Sequence, residues 1–426
     1  MDGLRNWAGN VRFQASHVER PRTLDELQGV IRRGGRSRAL GTGHSFSPIA
    51  DTTGALVSVA ALPQRIEIAA DRRSATASAG MRLGVHAAGL HTAGLALGNL
   101  PSLPHISLAG AVATGTHGSG VRNASLAAAV TRIELVVAAG ELVSIGLRDP
   151  RFPGAVVSLG CLGIVTSVTV AVEPTYHVSQ TVYEAIPARR LETDLDEILA
   201  AGHSVSIFTT WRPDRIEFVW VKRRTDAADG HLGPDWMGGR QAAREWHPIA
   251  SMSPAVCTPQ LGVPGQWHER LPHFRLGHTP SSGAELQTEY LIPRRYALDA
   301  IGAMQGMRAA MAPVLRISEI RSVAGDGQWL SPTQGNACIG IHCTWTDDVA
   351  AVMPVVDLME QVLAPFQARP HWGKLFGTGP ARIASLYPTL ADFRALRQEL
   401  DPHVMFGNSM LDGLLDGDPQ HPPIAR

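Results

Sequence analysis

Two short loops constrain this chain more than anything else in it. Gly41-Thr42-Gly43-His44-Ser45-Phe46-Ser47 and Thr114-Gly115-Thr116-His117-Gly118-Ser119-Gly120 each pack glycines around small hydroxyl residues and one histidine, directly after an apolar run. Glycine lets a backbone turn tightly and come close to a ligand. Successive N–H groups arranged that way form a concave anion site without a charged side chain. Two such loops in one domain suit a long ligand with a pyrophosphate in its middle, and a histidine among them can serve as a covalent or catalytic group. Two tight turns without a ligand are the plainer alternative.

Composition narrows the partner. The chain has 426 residues, with 38 basic and 38 acidic side chains and a formal charge of zero. A nucleic-acid surface needs a positive excess to neutralise phosphates, so that class is disfavoured, as is a polybasic membrane patch. A small molecule remains. With 44% hydrophobic and 18% charged residues the chain reads as globular, and its length suggests two domains. Cys161, Cys257, Cys338 and Cys343 form no CxxC pair and no metal-ligand spacing, which fits small buried residues of a reducing compartment. Met1 to Trp7 lacks a basic start followed by an apolar core. No run of about 18 uncharged apolar residues occurs. A cytoplasmic, monomeric protein without a membrane span is the expectation.

Only two lysines occur, Lys222 and Lys374, against 36 arginines. Arginine stays protonated, whereas a buried lysine can lose its proton and serve acid–base chemistry. Lys222, in Val221-Lys222-Arg223-Arg224, reads as a solvated strand end. Lys374 follows Arg369-Pro370-His371-Trp372-Gly373 between two apolar stretches and is the functional candidate.

Residues up to about 175 read as α/β. Thr23-Leu24-Asp25-Glu26 is a capping-box start for a helix to about Arg33. Strands are expected at Ser37 to Leu40, Leu56–Val59, Arg65–Ile68 and Ser74–Ala79, with a helix from about Leu83 to Ala93. Arg132–Ala138 and Leu142–Ile145 alternate as a hairpin, and Ile164 to Val172 is a further β-branched run. No GxGxxG or GKS/GKT motif is present, so neither the dinucleotide-binding Rossmann nor the Walker pattern fits.

From about Thr175 a strand at Tyr176–Ala185, a helix at Leu191–Ala201 and strands at Ser204–Thr210 and Arg215–Lys222 are expected. Further on, a strand at Glu285–Leu291, a helix at about Arg295–Ala312, strands at Arg316–Val323 and Ala337–Trp345 and a helix at about Val349–Phe366 suggest an antiparallel sheet with helices on one face. A Gly-, Pro-, Trp- and His-rich stretch at 225–283 has the character of a long covering loop. Side chains at i and i+2 share a strand face. Glu319 and Arg321 therefore stand together, as do His342 and Thr344, which fits a polar pocket wall or a solvated sheet face. His86 and His91 are five residues apart on one helix, roughly 140° around its axis. They cannot share an ion, HExxH is absent, and no metal is expected. No GxSxG elbow supports Ser-His-Asp hydrolysis.

Taken with Leu103-Pro104-His105-Ile106-Ser107-Leu108-Ala109-Gly110, the two loops resemble the FAD domain of vanillyl-alcohol-oxidase-type flavoproteins. Ser318-Glu319-Ile320-Arg321 and Arg369 to Lys374 are similar to the sugar-alcohol and aldonolactone oxidase branch, and the likeness runs from Asn6 to Phe406-Gly407-Asn408. The resemblance implies an α+β, two-domain FAD-binding (PCMH-type) fold. An FAD domain would span 1–175, completed by 370–426, around an antiparallel-sheet cap at 176–369.

The resemblance also implies FAD bonded to His44 through the 8α position, by a single attachment, since Cys161 does not sit in the pattern of doubly linked flavins. The cofactor would lie against Ala39, Leu40, Gly41, Thr42, Gly43, His44 and Ser45, and against Ser102, Ser107 and Gly110. Thr114, Gly115, Thr116, His117 and Gly118 would follow, then Gly163, Ile164 and Val165. Ser102, Glu319, Arg321, Thr344 and Lys374 would contact substrate. Pro101 stands where related chains carry Ala, and Gly or Pro there is associated with access for dioxygen.

The expected reaction oxidises a terminal CH–OH of a polyol of the xylitol or sorbitol type, with hydride passing to flavin N5 and O2 reduced to H2O2. Arg321 and Lys374 would stabilise the developing alkoxide, while His342 or water takes the proton. An aldonolactone oxidase, which shares nearly every motif, is the alternative, and a non-catalytic nucleotide- or sugar-binding protein is a third reading.

Overall fold

The computed structural model describes residues 3–227, 232–278 and 284–417. Near its start, Thr23 caps the helix Leu24–Arg32 by accepting the Glu26 N–H, while the Glu26 carboxylate reaches back to the Arg22 N–H. The first contact satisfies a donor that a helix start leaves open, and the second ties down the residue before the cap.

Two small sheets follow from the β-branched runs. The strands His17–Glu19, Ala55–Val57 and Ser37–Ala39 form a parallel three-stranded sheet. Ile66–Ile68, Ser74–Ser78, Ile164–Ala171, Val130–Val136 and Leu142–Gly146 form an antiparallel five-stranded one. Helices Leu83–Thr92, Leu108–Ala113 and Phe152–Val156 pack beside them.

A ten-stranded antiparallel sheet dominates the rest. At its centre Phe218–Arg224, Ser204–Thr209, Leu315–Val323, Cys338–Trp345 and Leu286–Pro293 lie side by side, and Arg369–Pro370 closes one edge. Alternation gives the sheet two different faces. Val219, Val221, Ile320, Ile341 and Cys343 bury into the main core with Ala297–Gly306 and Val349–Leu363. Glu319, Arg321, His342 and Thr344 occupy the opposite face, turned toward the glycine-rich loops.

Several sequence expectations need correction. The helix expected at Leu191–Ala201 is two, Arg190–Thr193 and Leu195–Ala200, parted at Asp194. The one expected to Ala312 breaks at Met307. The 225–283 stretch contains short strands at Asp235–Trp236, Gly239–Gln241 and Gly265–Gln266, all added to the edge of the large sheet, while 228–231 and 279–283 lie outside the described residues. Val349–Phe366 is long and apolar enough to cross a membrane by length and composition. It nevertheless carries Asp357 and Glu360, buries Val352, Val356, Met359 and Leu363, and takes the Tyr290 hydroxyl on Glu360 at 2.7 Å.

Residues near 406 return to the first loop. Buried Arg38 donates to the carbonyls of Phe406, Ile49, Leu159 and Gly160 at 2.5–2.9 Å. Asn408 Nδ2 donates to the carbonyls of Pro48, Ile49 and Asp51, and its Oδ1 caps the helix Ser409–Asp416.

Candidate active site

One cavity of about 810 Å³ runs between the glycine-rich loops and the polar face of the large sheet, within the range of cofactor and ligand sites, about 300–1,000 Å³. The segment from Ala39 to Ser47 forms one wall. A Cβ on Gly41 would sit 2.4 Å from Ser107 Oγ and would force that hydroxyl to turn aside; Gly43 turns with φ +69. The N-terminal segment clamps the outside of this loop. Trp7 N–H donates to Gly43 O at 2.8 Å, Asn6 Nδ2 to Ser45 O at 2.9 Å, and the Trp7 ring stacks on His44 with centroids 5.3 Å apart. Thr42 Oγ1 lies 3.0 Å from His44 Nδ1. Burial, with His105, Lys374 and Arg82 nearby, lowers His44 to about 4, so its ring is neutral at ordinary pH.

Ser102, Ser107, Gly110, Thr114, Thr116 and His117 continue the wall, and Gly163 and Val165 close it from the five-stranded sheet. Gly115, Gly118 and Ile164 do not line the cavity. A Cβ on Gly115 would meet Pro332, one on Gly118 would meet the Leu100 carbonyl, and Ile164, alternating with Gly163 and Val165, buries in a separate cluster with Val136 and Phe406. Lys374 is brought to the first loop by the backbone: Phe46 N–H donates to Gly373 O and Ser47 Oγ to Trp372 O, both at 2.8 Å.

The polar wall is set by strand register. Glu319, His342 and Glu289 stand in one row, and Ile317, Thr344 and Gln287 in the next. Arg321 lies opposite Gly340 and reaches across it to Glu289 Oε1, with Nη2 at 2.7 Å and Nε at 3.2 Å. Arg321 Nη1 also reaches Ser102 Oγ at 3.3 Å. The guanidinium and the histidines around Glu289 hold its carboxyl well below the usual range despite burial, and Glu319 is held low by Arg321 and His273. Gln287 Oε1 accepts from Lys374 and faces His342 Nε2 at 3.2 Å. Burial and Lys374 lower His342 to about 3; burial lowers Lys374 to about 8, with Glu289 pulling the other way. At neutral pH the wall therefore offers a neutral imidazole beside two cations.

Four groups in this site escaped sequence reading. Glu285, Gln287 and Glu289 alternate along one strand, the same period-two signal that marks Glu319 and Arg321. His273 had no local signal at all. Lys222 was misplaced: it is 1% exposed and sits under the covering loop, not in solvent. Its Nζ donates to the carbonyls of Leu271 and Pro272 and lies 3.0 Å from His273 Nδ1, and burial lowers it to about 7. Among the described residues, His117, Glu289 and His371 place ligand atoms within 4.8 Å of one another. Glu289 Oε1 is already committed to Arg321, and His371 Nδ1 accepts the Gly373 N–H at 3.1 Å.

Comparison with known proteins agrees with this geometry. A model of the FAD binding domain matches residues 15–146, and one of D-arabinono-1,4-lactone oxidase matches 284–414. An alditol oxidase from Streptomyces sp. is 49% identical over 417 residues, covering 97% of this chain and 99% of the relative. L-gulono-1,4-lactone dehydrogenase from Mycobacterium tuberculosis is 28% identical, covering 95% and 96%. In fold the chain is similar to cholesterol oxidase from B. sterolicum, with a TM-score of 0.75 at 17% identity over 97% of this chain and 96% of the other. With near half of its residues shared along almost the whole length of a characterised relative, this chain belongs to the alditol oxidase family of FAD-dependent oxidoreductases.

Proposed function

We propose that the protein oxidises a terminal CH–OH of a polyol of the xylitol or sorbitol type to the aldose, with dioxygen reduced to hydrogen peroxide. One observation carries the reading. A single cavity joins the glycine loops to a wall holding Glu319, Arg321, His342, Thr344 and Lys374.

The residues fit FAD. The bare backbone of Gly41 packs against Ser107, the loop is clamped from outside by Asn6 and Trp7, and neutral His44 has an unprotonated ring nitrogen with which to form a bond. A covalent link at His44 is part of the proposal. When bound, FAD supplies the two-electron acceptor for the hydrogen on carbon and passes the electrons to dioxygen; Pro101 in the cavity wall is proposed to favour that access.

The side chains do the rest. A polyol presents several hydroxyls, and Glu319, Thr344 and Ser102 offer a carboxylate and two hydroxyl groups to bind them. Arg321 and Lys374 stabilise oxygen as it loses its proton, since fixed cations in a site that excludes water cost no reorganisation during reaction. His342, neutral and with Nε2 turned to Gln287, takes that proton on Nδ1.

The test is peroxide release from xylitol or sorbitol against a γ-lactone. Turnover of the polyols supports the proposal, and turnover of the lactone alone would replace it with an aldonolactone oxidase. Colourless protein from flavin-replete cells would remove the enzyme reading. Yellow that leaves the polypeptide on acid precipitation would remove only the His44 bond.

A further inference from the structure

Lys222 is one of two lysines in the chain, and nothing in the proposed reaction uses it. It stands on Phe218–Arg224, on the strand face that also presents Phe218 and Trp220, sealed beneath the loop that carries His273. Burying an ammonium group is costly unless its hydrogen bonds are met. Here three acceptors converge on Nζ: Leu271 O, Pro272 O and, at 3.0 Å, His273 Nδ1. An ammonium has three donors and a neutral amine only two, so the acceptor count matches the charged form. Among the described residues the side chain forms no ion pair with a carboxylate. A methionine of similar length would fill the space without the burial cost, so stability alone does not call for lysine.

The next link leads into the site. Because Lys222 donates to Nδ1, the remaining proton of the His273 ring lies on Nε2, and Nε2 is 3.0 Å from Glu319 Oε1. The ring is flanked edge-on by Phe208 and Trp220, with centroids 5.6 and 5.1 Å away. His273 N–H also donates to Ser102 O at 3.0 Å, tying the same residue to the cofactor side of the cavity. Glu319 Oε2 stands 3.7 Å from Arg321 Nη1, beyond hydrogen-bond reach, and among the described residues it accepts no hydrogen bond, which leaves it for a hydroxyl.

We propose that Lys222 and His273 are positioning residues for polyol recognition. The Lys222 ammonium holds His273 in its Nε2–H tautomer, and that N–H fixes the Glu319 carboxylate with Oε2 toward the substrate. The inference rests on the reading of Glu319 as a polyol contact.

The test uses the FAD-loaded enzyme. Lys222→Met and His273→Phe are expected to raise KM for xylitol at least tenfold while changing the limiting rate of flavin reduction less than threefold. His273→Gln, which keeps an N–H for Glu319, is expected to stay within threefold of wild-type KM. Adding Lys222→Met to His273→Phe is expected to add nothing, since the lysine acts through the ring. A Lys222→Met KM within twofold of wild type overturns the proposal, as does full additivity in the double variant. Should Lys222→Met not fold, imidazole ¹⁵N shifts of wild-type resting enzyme still decide. His273 Nδ1 unprotonated and Nε2 protonated supports the proposal, and the reverse tautomer overturns it. Absence of polyol turnover by wild type sinks the functional reading instead, and the two failures are told apart by that control.

Discussion

Arg321 reaches Glu289 across an intervening strand, its Nη2 donating to Oε1 at 2.7 Å over the bare backbone of Gly340. A Cβ on Gly340 would lie 3.2 Å from that carboxylate oxygen and 3.7 Å from Arg321 Cγ. A methyl group there would push the carboxylate aside by a few tenths of an ångström, so the bare backbone leaves a clear path between a cation on one strand and an acid two strands away. Breaking a buried pair from one side typically costs about 3–5 kcal/mol. Glu289→Gln is expected to lower Tm by several degrees and raise KM for the polyol at least tenfold, and Gly340→Ala to move both in the same direction by less. Thermal melts and steady-state kinetics check both; an unchanged KM in Glu289→Gln removes Glu289 from the recognition machinery.

Lys374 has a second consequence besides charge. Lys374→Ala should slow flavin reduction by more than about a hundredfold while FAD stays bound. Because burial lowers the ammonium to about 8, wild-type kcat/KM is expected to fall tenfold per pH unit above that value. His342, lowered to about 3, should give no acid limb above pH 4 or so. Stopped-flow reduction and a pH profile measure these, and a flat profile to pH 10 contradicts the assignment.

The contact between Gly41 and Ser107 allows a suppressor test. Gly41→Ala puts a methyl 2.4 Å from Ser107 Oγ, and FAD content should drop several-fold. Ser107→Ala removes that oxygen and leaves only its Cβ, 3.6 Å away, in ordinary contact. The double variant is expected to regain most of its flavin, read as the ratio of visible to ultraviolet absorbance. No recovery in the double variant would locate the damage elsewhere.

Acid should unfold the protein from well above the usual carboxylate range. His86, His273, His342 and His371 are lowered by burial from 6.5 to about 4, 4, 3 and 3. Between those values and 6.5 the unfolded chain binds protons that the folded chain refuses, so stability is full above 6.5 and falls as pH drops toward 4. Each histidine contributes a slope of about 1.4 kcal/mol per pH unit within that window. Glu289 and Glu319, held low in the fold, act in the same direction. Melts at pH 7, 6, 5 and 4 should show Tm descending from pH 6 downward, and a constant Tm to pH 5 would contradict neutral buried imidazoles.

What could be read from the sequence was whatever is encoded locally. The capping box at Thr23, the turns at Gly41 and Gly43, and the alternation that pairs Glu319 with Arg321 and His342 with Thr344 all depend on neighbours within a few residues. The same alternation in Glu285-Leu286-Gln287-Thr288-Glu289 was there to be seen, yet its meaning depends on register with Leu315–Val323 through Cys338–Trp345. Lys222 was misread for the opposite reason. Its own neighbours Arg223 and Arg224 are those of an exposed strand end, and only Leu271, Pro272 and His273, about fifty residues on, bury it. Gly115, Gly118 and Ile164, which the motif places on the cofactor, do not line the cavity, and Ile164 packs with Val136 and Phe406 instead.

The bonds from Arg38 to Phe406 O and from Asn408 to Pro48, Ile49 and Asp51 join segments more than 350 residues apart. A ribosome emits about 5–20 residues per second, so the loop holding His44 waits roughly 20 to 70 seconds for the segment that braces it. Flavin capture at a finished loop therefore follows the synthesis of Phe406 and Asn408, and nascent protein arrested before residue 406 should remain colourless however much cofactor the cell supplies.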